Sequence, residues 1–230
     1  MAVAGFSTTV KVGGTATALS NEACTKVTAN TVYQITDATK RALDPDTTVV
    51  VEVDADGAGA GAFAVAGASY YSLDYCSGTI TFGSDQGADA VVRVASGKYI
   101  PLLSVAEAHA ADVTYGYESV ATPRFGDTGK RSMTGRAELS GSLEHWHSLS
   151  EDLDSGGGTR TFGGSLAAPV FVEIHFGGTG DKMRGWVQLK SNKVNCKLTE
   201  AVGHSVNFEG VVRTCADRPA TEQALFGWSS

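Results

Sequence analysis

From Ala137 to Trp146 the chain alternates without a break. Ala137, Leu139, Gly141 and Leu143 fall on one side, and Glu138, Ser140, Ser142 and Glu144 on the other. A period of two is the mark of a β-strand with one buried and one wetted face. The pattern recurs. Asp112 to Val120 sets Val113, Tyr115 and Tyr117 against Thr114, Gly116 and Glu118, and Met183–Leu189, Asn192–Thr199 and His204–Val212 alternate in the same way. Val170 to Phe176 carries apolar or aromatic groups on both sides, which suits a more central strand. No segment shows a long helical period. About six strands in succession, joined mostly by short loops, predict an antiparallel sandwich or barrel in the second half.

The first half reads similarly. Ser7–Val12, Thr31–Thr36 and the β-branched Thr47–Val53 are strand-like, with Gly13-Gly14 and a polar stretch between the first two. Ser69–Tyr75 and Thr79–Phe82 form a hairpin around Cys76-Ser77-Gly78, with glycine where a positive φ is needed. Ala90–Ala95 and Lys98–Leu103 read as a second pair around Ser96-Gly97. Asp37–Asp44 has the makings of a turn or two of helix, with Asp37 as N-cap and Pro45 ending it. Asp54–Gly61 is a glycine-rich connection without the lysine and following helix of a phosphate-binding loop. His147–Asp154 suits a short helix, and 217–230 reads as an extended or loosely packed tail. No linker and no fixed-period repeat divides the chain. One β domain over 1–230 is expected, with 1–35 as an N-terminal arm and first strands.

Charge narrows the function. With 18 basic and 25 acidic residues the net charge is −7, which disfavours a general polyanion binder, although a local basic patch remains compatible with it. Cys24, Cys76, Cys196 and Cys215 are widely spaced and include no C-x-x-C pair, so a structural zinc site is disfavoured; scattered thiols are expected over two disulfides. The N-terminus shows neither a basic n-region nor an apolar h-region, and no run is long and apolar enough to span a bilayer. A soluble product made in the cytoplasm is expected, with no cofactor.

Candidate sites are few. His145 and His147 flank Trp146 on one strand face, a plausible metal edge. The leucines on that face and the lack of a third placed ligand favour packing. No G-x-S-x-G elbow supports a hydrolase. Thr122 to Gly135 is polar and turn-rich, and its cluster of Arg124, Asp127, Lys130 and Arg131 suits either an acidic ligand or a solvated loop. The face of Glu138, Ser140, Ser142 and Glu144 need not meet bulk solvent. In an oligomer that shares a barrel, it would line a hydrated lumen that repels phosphate.

Several segments, in this order, resemble the tail tube (major tail) proteins of long-tailed bacteriophages. They are TVYQITDATKRALDP (Thr31–Pro45), YSLDYCSGTITF (Tyr71–Phe82), SGKYIPL (Ser96–Leu102), TPRFGDTGKRSMTG, SGSLEHW, PVFVEIHF and SVNFEGVV. The resemblance touches most of the chain from about residue 31 to 212. It implies an all-β subunit, mainly antiparallel sandwich or barrel with one short flanking helix, that forms six-fold rings stacked into a tube for DNA ejection. By the same resemblance, 122–136 is an extended inter-ring loop with Arg124, Phe125, Asp127, Lys130 and Arg131 as contacts, and Glu138, Ser140, Ser142 and Glu144 face the lumen. The implied partners are further copies of the chain and other tail proteins (tape measure, terminator, baseplate or tip). DNA would pass without specific binding. The chain departs from the family where a distinct helix is often found after the S-G-S-L-E strand; here it has the glycine-rich Ser155–Gly164. A head decoration protein, or less readily a carbohydrate-binding β-sandwich, is the alternative.

Overall fold

The computed structural model describes residues 9–57, 63–104, 108–121, 132–146, 169–175, 182–195, 203–216, 218–224 and 226–229. In chain order the first strands are β1 (Thr9–Gly13), β2 (Thr17–Thr28), β3 (Val32–Ile35), β4 (Val50–Asp54), β5 (Ala64–Val65), β6 (Tyr71–Asp74), β7 (Thr79–Phe82), β8 (Val91–Tyr99) and β9 (Leu102–Ser104). They are followed by β10 (Ala108–Ala121), β11 (Ser132–Trp146), β12 (Val170–His175), β13 (Lys182–Asn195), β14 (Gly203–Gly210), β15 (Val212–Cys215), β16 (Arg218–Ala224) and β17 (Phe226–Ser229). All ladders among them are antiparallel. The one helical element among the described residues is a 3-10 turn, Ala38–Lys40, capped where the Asp37 carboxylate accepts from the Thr39 amide at 3.0 Å. The fold is all-β, as the alternation predicts.

Two sheets carry the architecture. One runs β10-β11-β14-β13-β12-β1-β9, with β17 also on β13; the other runs β5-β4-β8-β2-β3-β7-β6, and β15-β16 form a small ribbon. Strands β1 and β9 come from the first half of the chain but pair into the sheet built by the second half. The two halves are thereby laced together, and a shared core follows. Tyr33, Ile35, Val51, Leu73, Ile80, Val92 and Val94 of the second sheet pack in one cluster with Phe171 and Trp186 of the first. A separate cluster lines the opposite face of the first sheet, from Val10 and Val12 through Val172, Ile174, Met183 and Leu189 to Phe208, Val206, Leu143 and Leu139.

The Cys76-Ser77-Gly78 hairpin is present, with Gly78 at φ +63°. A Cβ there would lie 2.9 Å from the Arg41 carbonyl oxygen, so both conformation and space require glycine. Strand β12 is covered on both faces, as its two-sided apolar pattern suggests.

Several expectations are corrected. Ser96-Gly97 is no hairpin: β8 runs straight through it, with Ser96 opposite Ser20 and Gly97 opposite Leu19. Met183–Leu189 and Asn192–Thr199 are not separate strands. The first and the described part of the second, to Asn195, merge in β13, whose phase shifts at a bulge between Leu189 and Ser191, so the break in alternation marks an extra residue rather than a turn; 196–199 lie outside the described residues. The polar stretch after Gly14 is the twelve-residue β2, unrecognised because most of its side chains are exposed on both faces. Of the two alternatives for the tail, the described residues take the extended one and not the loose one: β16 pairs with β15, and β17 adds to β13. Strand β11 begins at Ser132, inside the span 122–136 expected as loop.

Candidate functional site

Strand β11 lies between β10 and β14, and register decides what its polar face becomes. Ser140 stands opposite Thr114 on one side and Glu209 on the other; Ser142 stands opposite Asp112 and Asn207; Glu144 stands opposite Ala110 and Ser205; Glu138 stands opposite Gly116. Antiparallel partners share a face, so these rows merge into one polar surface three strands wide. Glu138, Ser140, Glu144, Asp112, Thr114, Asn207 and Glu209 are exposed and Ser142 is half-buried. Gln188 continues the surface onto β13 opposite Glu209, whose carboxylate also meets Lys190 at 2.7 Å. Behind it Leu139 and Leu143 are buried, and the Phe208 ring fills the space over Gly141, where a Cβ would come within 2.5 Å of it. All four expected lumen residues thus lie on one water-facing surface with their apolar neighbours on the other.

The same face of the sheet changes character toward β12. Past Gln188 on β13 come Trp186, Arg184 and Lys182, and opposite them on β12 stand Phe171, Glu173 and His175. Phe171 and Trp186 meet edge to face at 5.6 Å beneath the second sheet. Glu173, 1% exposed, accepts from Lys11 Nζ at 2.9 Å, from His175 Nε2 at 2.6 Å and from Arg184 Nε. Arg184 also donates to the Cys76 carbonyl at 3.3 Å, joining the two sheets. Burial pushes the Glu173 carboxyl up, but the hydrogen bonds from His175 and Lys11 and the Arg184 charge outweigh it and hold it at about 2. On the ribbon side, Arg213 stacks 4.4 Å over the Trp186 ring and pairs with Asp46 at 2.6 Å.

Arg124, Phe125, Asp127, Lys130 and Arg131, expected as ring-to-ring contacts, lie outside the described residues, as do His147 and Cys196. His145 pairs in β11 opposite Ala108 and His204. Among the described residues no three His, Cys, Asp or Glu side chains group as metal ligands, and no helix is long and apolar enough to cross a membrane. Cys24, Cys76 and Cys215 are thiols rather than disulfide halves, and burial pushes the Cys24 thiol up to about 12. Sequence reasoning missed Asp112, Thr114, Asn207, Glu209 and Gln188 as parts of the polar surface. Each strand's alternation was legible, but not which strands adjoin.

No family model matches the chain, and no curated protein matches it. Among solved structures it is similar to a chain in the tail of an empty gene transfer agent particle of C6 symmetry, at 13% identity over 48% of this chain and 82% of that one, with a TM-score of 0.35. It is also similar to a chain in the virion of a native gene transfer agent particle, at 10% identity over 48% and 84%, with a TM-score of 0.33.

Proposed function

We propose that this chain is a virion structural protein, without catalysis, that forms stacked six-fold rings of a phage tail tube and so a conduit for DNA ejection. The observation that carries the reading is the exposed acidic and hydroxyl surface of β11 and its neighbours, set beside the sheet's terminal strand β10. Among the described strands β10 pairs on one side only. A fourteen-residue strand with an open edge is a template for pairing with another chain. Six copies adding edge to edge would close a barrel, turning the polar surface inward and leaving the leucine face outward. A lumen of Glu138, Ser140, Ser142 and Glu144, widened by Asp112 and Glu209, would stay hydrated and repel phosphates, so DNA would pass without sticking. The ordered family motifs point the same way.

In this reading Arg124, Phe125, Asp127, Lys130 and Arg131 reach the adjacent ring, the tube ends meet other tail proteins, and the protein resides in the virion tail. Electron microscopy of the purified full chain tests it: tubes or six-fold rings are expected, and monomers or trimers would refute it. Deleting 124–131 should leave the subunit folded, since loops hold few core contacts, and should abolish tube growth. Tubes of normal length from that deletion would remove the stacking role.

A further inference from the structure

The polar row around Glu173 leads outward to a concentration of positive charge. From buried Phe171 and Trp186 the rows step to Lys11–Glu173–Arg184 and then to Thr9–His175–Lys182, where His175 and Lys182 are half-buried. Arg41 joins from the other sheet: its Nε donates to the Ile35 carbonyl at 2.8 Å, beside the same 75–78 turn that Arg184 reaches. Glu173 pairs with Lys11 and Arg184, and the Asp37 charge acts on Arg41, so two carboxylates stand against Lys11, Arg41, Lys182 and Arg184. The surplus is felt within the cluster. Burial first, then the Arg184 charge, pulls both Arg41 and Lys182 below their ordinary values. In a chain of net charge −7, such a half-open cationic mouth is out of keeping with the average surface and calls for an anion.

The complement lies at the other end of the same hairpin strand. Strand β7 starts at the 75–78 turn and ends in the 83–90 loop. There the 54–57 turn meets the loop, with Gly57 against the Asp89 carbonyl, and Asp56, Asp85 and Asp89 are all exposed. The corner is held partly by the turn itself, where Asp85 accepts from the Gly87 amide at 2.7 Å, and partly by β2 and the connection after it, where Asn30 donates to Asp85 at 3.1 Å and Lys26 to the Ala88 carbonyl at 2.8 Å. A cationic mouth at one end of a sheet and an acidic corner at the other are the two halves of a head-to-tail contact, which closes into rings or runs on as filaments.

We infer that the mouth lined by Lys11, Arg41 and Lys182, over the buried Arg184, is a docking site for the Asp56–Asp85–Asp89 corner of a second copy of this chain. The inference rests on the self-assembly proposed above and names a surface for it. It is tested by sedimentation of the full chain carrying Arg41→Glu with Lys182→Glu, or Asp56→Lys with Asp89→Lys. Each double reversal should raise the concentration needed for association by about tenfold or more, because like charges then face each other. An equimolar mixture of the two should restore it, since each reversed surface then meets its opposite. Association unchanged by the reversals, or lost without rescue on mixing, would overturn the inference. If a reversal fails to fold by circular dichroism, Lys182→Gln and Asp89→Asn replace it. Association that these neutral variants leave unaltered would also overturn it. Tubes that form normally in the reversed variants sink this contact and leave the tail-tube reading intact. Wild-type assemblies that are charge-dependent but never six-fold sink the tail-tube reading and leave this contact standing. A chain that stays monomeric at every concentration overturns both.

Discussion

One face of the large sheet behaves in two ways. At β12 and β13 it lies under the second sheet, and there even a carboxylate and a guanidinium, Glu173 and Arg184, are buried and paired. At β14, β11 and β10 no described element covers it, and Glu209, Ser140, Glu138 and Glu144 are exposed. Pleat and face are the same. What differs is the roof, and the polar groups follow it. Under the roof they must satisfy each other; beyond it they are also open to water, or in an assembly to a neighbour.

Glu173→Ala leaves Arg184 buried without its carboxylate and should cost about 4 kcal/mol in urea unfolding; a loss under about 1 kcal/mol would mean that the buried pair contributes little. The pH dependence has a definite direction. The Glu173 carboxyl sits below its ordinary 4.5 at about 2, so the stability it lends is complete above the unfolded-state value and is lost as pH falls from there toward about 2. Stability curves of the wild type and Glu173→Ala should therefore converge on acidification through that window, and parallel curves would contradict it.

On the open half, the buried side should be as sensitive as any core. Leu143→Ala should cost about 3 kcal/mol through the cavity it leaves. Gly141→Ala should cost about 2 kcal/mol, because its new methyl would collide with the Phe208 ring and the Asp112 carbonyl. A neutral or stabilised Gly141→Ala would mean that Phe208 does not depend on that gap. The smallest change is expected on the exposed face of the same strand. Glu138→Lys with Glu144→Lys should shift subunit stability by no more than about 0.5 kcal/mol, as exposed substitutions do, while in the proposed tube it should slow DNA ejection by attracting phosphate. Unchanged ejection would remove the lumen role without touching the fold.

Much of this fold was legible in alternation, and the failures are instructive. β11 and β14 were readable because one face is apolar and the other polar. β2 was not, because its side chains are mostly exposed and its place comes from backbone pairing between β3 and β8. The break inside β13 looked like a turn because a bulge shifts the phase of side chains as a strand end would. The tail strands β16 and β17 have little pattern of their own and are defined by the strands they join.

For the candidate surface, the sequence by itself determined that Glu138, Ser140, Ser142 and Glu144 share a face opposite Leu139 and Leu143, since pleating allows nothing else in a strand. It also determined an all-β chain, because no segment carries a helical period. Only the tertiary structure decided that Asp112 and Glu209 join that face and that Glu173 lies under a roof. Register and sheet order are contacts between residues far apart in the chain, and no local period encodes them.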